Sequence, residues 1–196
     1  MKKIILSLML IFFVGSLSSG FAQSESYLKN RISVEGFYTR NLGNFGDVWT
    51  DASGGYIGYS IALPEHNLLI MRTGFINNDL DDDLKLQEDI AFSDASLTII
   101  PIEIGGRYYF NDNMLMPFVQ FMNGLNLVFE NTNLKGESEE KTMVKYAWQV
   151  GFGLTVNILS NLSLDIGVNY QSNFYQHDAM NTGFEYAFGI GYAFGN

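Results

Sequence analysis

Six charged residues raise the first question of chemistry: Glu35, Arg72, Glu103, Arg107, Asp165 and Glu185. Each falls in a stretch that alternates large apolar with small or polar residues, and each occupies the small or polar set. Carboxylates and guanidinium groups on the same side of such stretches can line a gated proton or ion path. They can equally pair with one another and plug the space they share. A second group is the acidic segment NNDLDDDLKLQED, where Asp79, Asp81 and Asp83 recur at alternate positions and offer hard oxygen donors of the kind calcium takes. Leu84 stands where a calcium loop of the helix-loop-helix kind needs its turn glycine, and Ile90 where it needs its bidentate glutamate, so the plainer expectation is a solvated acidic loop with weak cation binding. Nucleophilic chemistry is poorly served. The two histidines, His66 and His177, have no serine placed beside them by motif, and the pair His177 and Asp178 stands alone. With no cysteine there is no thiol chemistry, no disulfide and no site for lipidation. No catalytic residue, resident metal or cofactor is expected.

The elements that position these residues read as strands. From Gly183 to Phe194 the chain sets Phe184, Tyr186, Phe188, Ile190, Tyr192 and Phe194 against Gly183, Glu185, Ala187, Gly189, Gly191 and Ala193. A strand over a water-soluble core would show polar groups on its second face. Here that face is glycine, alanine and one carboxylate, which suits a barrel with aromatics toward lipid and a narrow interior. The same period of two marks 145–158 and 162–174, and more loosely 30–40, 54–63, 67–77, 96–110 and 116–130. These eight stretches are near the length a tilted strand needs to cross a bilayer, about 9 to 11 residues. In the fourth, Ile100, Ile102, Ile104 and Tyr108 face lipid and Glu103 and Arg107 face inward. In the fifth, Asn123 falls on the lipid side, so a bulge or rim position is expected there.

The connections 64–66, 111–115 and 159–161 are short, whereas 41–53, 78–95, 131–144 and 175–182 are longer, in strict alternation. Transmembrane barrels have short periplasmic turns and longer outer loops, which puts both termini in the periplasm. The N-terminus reads as an export signal over residues 1–22: Lys2 and Lys3, then an apolar run from Ile4 to Val14 too short to span a bilayer, then small residues up to Ala22. Residues 23–196 then form one domain. A formal net charge of -10 argues against a nucleic-acid role.

In order along the chain, SLTIIPIEIGGRYYF with its Ile100-Pro101 pair, MPFVQFMNGLNL, GFGLTVNILSNLSLDIGVNYQ and the aromatic last strand resemble the small outer-membrane β-barrel families, the OmpA transmembrane domain and OmpX among them, in the versions common in Bacteroidetes. The resemblance covers nearly all of residues 23–196 and implies an eight-stranded antiparallel transmembrane barrel, monomeric, in contact with outer-membrane lipid and lipopolysaccharide. Such families share architecture and no common activity. The resemblance also implies that Phe188, Tyr192 and Phe194 supply the C-terminal aromatic signal for the barrel-insertion machinery, although Gly195 and Asn196 follow the last aromatic. Outer-membrane lipid A deacylases use a His-x-Ser-Asn stretch and a later lipid-facing Glu; YQSNF has Tyr170 in place of the histidine, and Glu185 falls on the inner face, leaving Ser172 without a base.

Aromatics near strand ends, Tyr38, Tyr59, Tyr108, Tyr109, Tyr146 and Trp148, could form a sugar-binding surface, but interfacial girdles account for most of them. Phe45 and Trp49 lie mid-loop in NLGNFGDVWTDAS and are the candidates for touching a surface partner of unknown identity, against a plainer reading in which the loop packs on itself. The expectation is a structural or surface-interaction barrel without catalysis, with a small-solute pore second and a lipid-modifying enzyme third.

Overall fold

A computed structural model describes residues 29–79, 92–134, 137–174 and 180–194 of the 196-residue chain. Eight strands account for nearly all of them: β1 (Asn30–Leu42), β2 (Ala52–Leu63), β3 (Asn67–Asp79), β4 (Phe92–Tyr109), β5 (Leu115–Leu134), β6 (Glu137–Leu159), β7 (Leu162–Phe174) and β8 (Met180–Phe194). A single helical turn, α1 (Gly43–Gly46), follows β1. Each strand pairs antiparallel with its neighbours in the chain. β8 then returns to β1, from Asn30 opposite Phe194 to Leu42 opposite Thr182, and the sheet closes. Closure leaves no free edge within the wall, the condition for putting strands in a medium that offers the backbone no hydrogen bonds.

The two faces sort as the alternation predicts. Val34, Ile57, Phe75, Ile102, Phe152, Ile166, Phe188 and Ile190 all point outward and lie open. That much contiguous apolar surface is unfavourable in water and suited to lipid. Tyr59 and Phe194 at 6.0 Å, with Tyr108 and Phe110 at 5.5 Å, form an aromatic ring around the end that holds the termini. Trp148, Tyr170 and Phe184 belong to a second ring at the other end. Between the rings, the tilted run from Phe184 to Phe194 spans roughly 25 Å, the height of the apolar band of a transmembrane barrel.

Several expectations change. Tyr109 is not part of a girdle; it points inward and is fully buried, because it follows the inward parity of Glu103 and Arg107. Of the two alternatives at Asn123 the bulge is absent, and the residue lies opposite Trp148 of the second ring. The pairing of β5 with β4 and β6 runs through it without a slip, and its side-chain amide donates to the Ile104 carbonyl across the ladder at 3.1 Å, which ties up part of the amide's polarity at the outer surface. The loop expected over 131–144 is largely a ladder, with β5 and β6 paired out to Leu134 opposite Glu137. Pro101 interrupts the wall instead. The pairing of β3 with β4 skips from Thr73–Ile102 to Ile76–Ile99, since proline has no N–H to give, and the Thr73 hydroxyl donates to the Pro101 carbonyl at 2.8 Å.

Ile57 lies near the middle of β2 and is outward, whereas Ser53 is outward near its loop end. Ile57→Arg is expected to cost about 2–4 kcal/mol and Ser53→Arg about 0–1 kcal/mol. Denaturant-dependent folding into lipid vesicles measures both, and equal costs would contradict the assignment of the apolar band.

Candidate functional site

The inward positions of eight strands converge on a lumen too narrow for a channel, and the charged residues meet there in two linked groups. Asp165 of β7 takes a double contact from Arg31 of β1, at 2.7 and 3.3 Å, and a further one from Arg107 of β4 at 2.6 Å. The Thr155 hydroxyl donates to the same carboxylate at 2.7 Å and lies 3.2 Å from the Tyr109 hydroxyl. In the second group Arg72 of β3 bridges Glu103, at 2.7 Å, and Glu35, at 3.2 Å. Gln149 donates to both oxygens of Glu103 at 3.0 and 3.1 Å. A relay of neutral groups joins the two: Arg107 donates to Gln120, Gln120 to Asn169 at 2.7 Å, and Asn169 to Glu185 at 2.8 Å. Tyr56 completes it, donating to Glu185 at 2.9 Å while its ring lies 3.8 Å below the Arg72 guanidinium.

All six charges read from alternation are inward and buried, and Arg31 is a seventh. It sits at the second residue of β1, where a basic side chain reads as interfacial, yet its odd number puts it in register with Glu35. Three arginines thus face four carboxylates. Buried charges persist only when paired and hydrogen-bonded, and every one of these groups has such a partner. The small residues of the inner face make the contacts possible. A Cβ on Gly189 would stand 2.6 Å from the Glu35 side chain, and one on Gly151 only 1.8 Å from the Asn169 amide oxygen. Glycine is needed at both because a long polar side chain from a neighbouring strand occupies the space.

Apolar layers lie at both ends of the charged layer. Toward the loops Phe37, Tyr56, Ile76, Leu97, Ile99 and Val128 pack with Phe45 and Trp49, whose side chains are only 7% and 6% exposed. Of the two readings of this segment the plainer one holds and the contact aromatics do not: α1 and the residues after it fold inward, and the two rings, 6.4 Å apart, cover the barrel mouth. Gly43, at a φ of +63°, admits the left-handed turn that starts this fold-back. Toward the termini Leu68, Ile70, Tyr109, Met116, Phe118 and Met122 form the second layer. The gap left between Glu35, Arg107, Gln120, Asp165 and Asn169 is about 10 Å³, the room of one water at most. Only below the second apolar layer does the lumen widen, into an open cavity of about 640 Å³ lined by Lys29, Arg31, Tyr109, Asp112 and Asn157 among others.

The remaining candidates stay apart from this centre. Asp79 ends β3, and its backbone carbonyl accepts from Thr50 N–H at 2.9 Å; Asp81 and Asp83 lie outside the described residues. Among the described residues no group of three acidic, histidine or cysteine side chains is placed to hold a metal. His66 sits in the turn at the terminus end, while Ser172 and Tyr170 are near the opposite end of β7, at outward positions, Ser172 buried and Tyr170 half-buried. His177 and Asp178 lie outside the described residues. Phe188, Tyr192 and Phe194 all face outward.

Neither a protein-family model nor a curated protein matches the chain. Solved structures do. The chain is similar to Neisserial surface protein A (14% identity, TM-score 0.59), with 88% of this chain aligned to all of that one. It is similar to Ail, the attachment invasion locus protein of Yersinia pestis (17%, 0.58), with 85% of this chain aligned to 98% of Ail. A major outer membrane protein from Thermus thermophilus aligns over 85% of this chain and all of its own (14%, 0.57). These are small outer-membrane barrels, and at such identities they share the fold.

Asp165 is the carboxylate on which two guanidinium groups depend. Asp165→Asn strands Arg31 and Arg107 in a closed interior, so a loss of about 3–5 kcal/mol is expected in vesicle-folding titrations. Adding Arg31→Met should recover part of it by removing one stranded charge. Two costs that simply add would show that the charges are not coupled.

Proposed function

We propose that the chain is an integral outer-membrane protein whose plugged barrel serves as an anchor and whose loop end makes contacts at the cell surface, without catalysis. The observation that carries this reading is the uneven height of the wall. β6 pairs with β5 from Glu137 onward, but its pairing with β7 begins only at Ala147 opposite Asn173. Among the described residues, 137–146 therefore have a ladder on one side only. β4 accompanies this projection, paired with β5 out to Phe92 opposite Leu134. An uncovered edge of that length exposes backbone donors and acceptors to any extended polypeptide that can add as a further strand. Native sheets blunt such edges with charge, and Glu140 and Lys141 do so here while leaving Val144 and Tyr146 beside them.

The orientation follows from the connections. Residues 64–66, 110–114 and 160–161 turn tightly at the terminus end, whereas the opposite end carries the longer connections and the projecting β5–β6 ladder. By the rule for outer-membrane barrels the tight turns and both termini are periplasmic and the projection is extracellular. Ail, by its name a protein of attachment and invasion, supports a contact role for a barrel of this size. Lipid and lipopolysaccharide surround the wall, the insertion machinery reads the last strand, and the barrel acts as a monomer; the Bacteroidetes character of the sequence belongs to the same reading. The pore reading ranks second, because the apolar layers on both sides of the charges leave no continuous aqueous route. A lipid-modifying activity ranks third. Tyr170 holds the place a histidine base would need, and Glu185 is on the wrong side of the wall.

Replacing residues 131–143 by a short turn leaves the barrel intact and removes the bare edge. The full chain in vesicles is expected to retain a subset of a panel of unstructured peptides, and the trimmed chain none of that subset. Equal retention by both would overturn the contact role of the edge. In a planar bilayer the full chain should give no stepwise conductance, and regular steps would favour the pore.

A further inference from the structure

One sector of the outer surface near the loop end differs from the rest. Arg40 of β1 faces outward, opposite Phe184 of β8, which in turn lies opposite Tyr170 of β7. Tyr170 packs 5.6 Å from Phe184 and 6.0 Å from Trp148, so three rings form a shelf running from β6 to β8 with the guanidinium at its end. Arg40 is the one basic residue at an outward position of the described strands, and among the described residues it has no carboxylate within ion-pair distance. Asp51, which follows on the same side, is engaged by the Tyr38 hydroxyl and by Asn41 N–H. Elsewhere this end carries Asp79, Glu130 and Glu140 along β3, β5 and β6, with Lys141 opposite Glu130 and Lys145 further along β6.

Ser172 is a second, independent feature of this sector, and one of seven described residues with a buried polar side-chain atom that lacks a partner. It is the next outward residue of β7 beyond Tyr170, between Trp148 on β6 and Thr182 on β8. It is 1% exposed, and its hydroxyl has no hydrogen-bond partner. A buried hydroxyl without a partner costs about 1–3 kcal/mol, and a bound sugar or phosphate oxygen would remove that cost.

We propose that this sector seats the phosphorylated sugar headgroup of an outer-leaflet glycolipid. The Arg40 guanidinium takes the phosphate, as a planar donor fork does well. The rings of Trp148, Tyr170 and Phe184 lie against the sugar and the upper acyl chains. The Ser172 hydroxyl donates to a headgroup oxygen entering between Trp148 and Thr182. The assignment of leaflet rests on the orientation proposed above; the binding chemistry does not.

The chain has two tryptophans, so Trp49→Phe makes Trp148 the sole reporter. In phosphatidylcholine vesicles, bisphosphorylated lipid A is expected to shift Trp148 emission saturably. Lipid A stripped of phosphate and phosphatidylglycerol should each do so at least about tenfold more weakly, as a lost charge-assisted contact implies. Arg40→Gln should weaken the response to bisphosphorylated lipid A by a similar factor, and Ser172→Ala by about threefold. Should Trp49→Phe fail to fold, native mass spectrometry of the wild-type chain against Arg40→Gln reads the retained lipid A directly. An unchanged affinity in Arg40→Gln, or an equal response to phosphatidylglycerol, would overturn the site and leave an ordinary aromatic girdle. The chain has no cysteine, so Glu140→Cys, at an exposed position of the β5–β6 projection, can be labelled on intact cells by an impermeant reagent. Labelling supports the outward orientation. Absence of labelling alongside lipid A binding in vesicles would overturn the orientation and leave the binding chemistry standing.

Discussion

The pairing of charge inside a closed wall is the constraint on which the remainder of this structure depends. Lipid outside obliges every strand to find two neighbours, and with eight strands the sheet closes around an interior that side chains fill. Inward residues away from the open cavity at the terminus end are then cut off from bulk water. Three arginines and four carboxylates survive there because each is met by an opposite charge, an amide or a hydroxyl. The glycines of β6 and β8 follow from the same demand. They are small so that Asn169 and Glu35, reaching in from adjacent strands, have somewhere to lie.

What can be read from the chain divides along this line. Alternation in β6, β7 and β8 is visible because one face must satisfy lipid at every second residue, and it yields the parity of Glu185 and Asp165 directly. In β3, β4 and β5 the inward face is itself apolar in part, with Leu68, Ile70, Leu97, Ile99, Met122 and Val128, so the two faces differ less and the pattern blurs. Arg31 is hard to read because a basic residue at a strand start looks like a headgroup contact, and only its partner Asp165, far along the chain, shows otherwise. Phe45 and Trp49 are in a segment with no period at all. Their burial follows from the shape of the barrel mouth, which local sequence does not encode. The projecting part of β5 and β6 is illegible for the opposite reason. Above the membrane neither face needs to be apolar, and ESEEKT has the composition of a loop while keeping the ladder of a strand.

Sealing the lumen also decides where function can reside. Apolar layers lie on both sides of the charged layer, with a gap of about 10 Å³ within it, and the proposed role of the interior is structural. A network with no spare volume cannot admit a substrate without breaking ion pairs, and breaking one buried pair costs several kcal/mol. Chemistry that depends on access is thereby displaced to the outer surface of the wall, to the rim and to the open cavity at the terminus end.

The wall is not uniform on that outer surface, and its irregularities have separate causes. At Pro101 the ladder between β3 and β4 lapses because a residue cannot donate, and Thr73 compensates from the lipid side. At β6 the ladder is one-sided because β7 stops at Phe174 while β6 extends to Glu137. Around Arg40 the belt of aromatics is interrupted by a cation, beside a sector whose hydroxyl at Ser172 finds no partner. The first defect is repaired within the fold, so it has no need of a ligand. Among the described residues the other two remain open: a backbone edge paired on one side, and an arginine without an ion-pair partner and a serine hydroxyl without a hydrogen bond where the membrane surface begins. Inside, every charged group has a partner although Arg31 Nε and Arg72 Nη2 have none of their own; outside, the edge of β6 and the Arg40 sector are where a second molecule would supply what the fold does not.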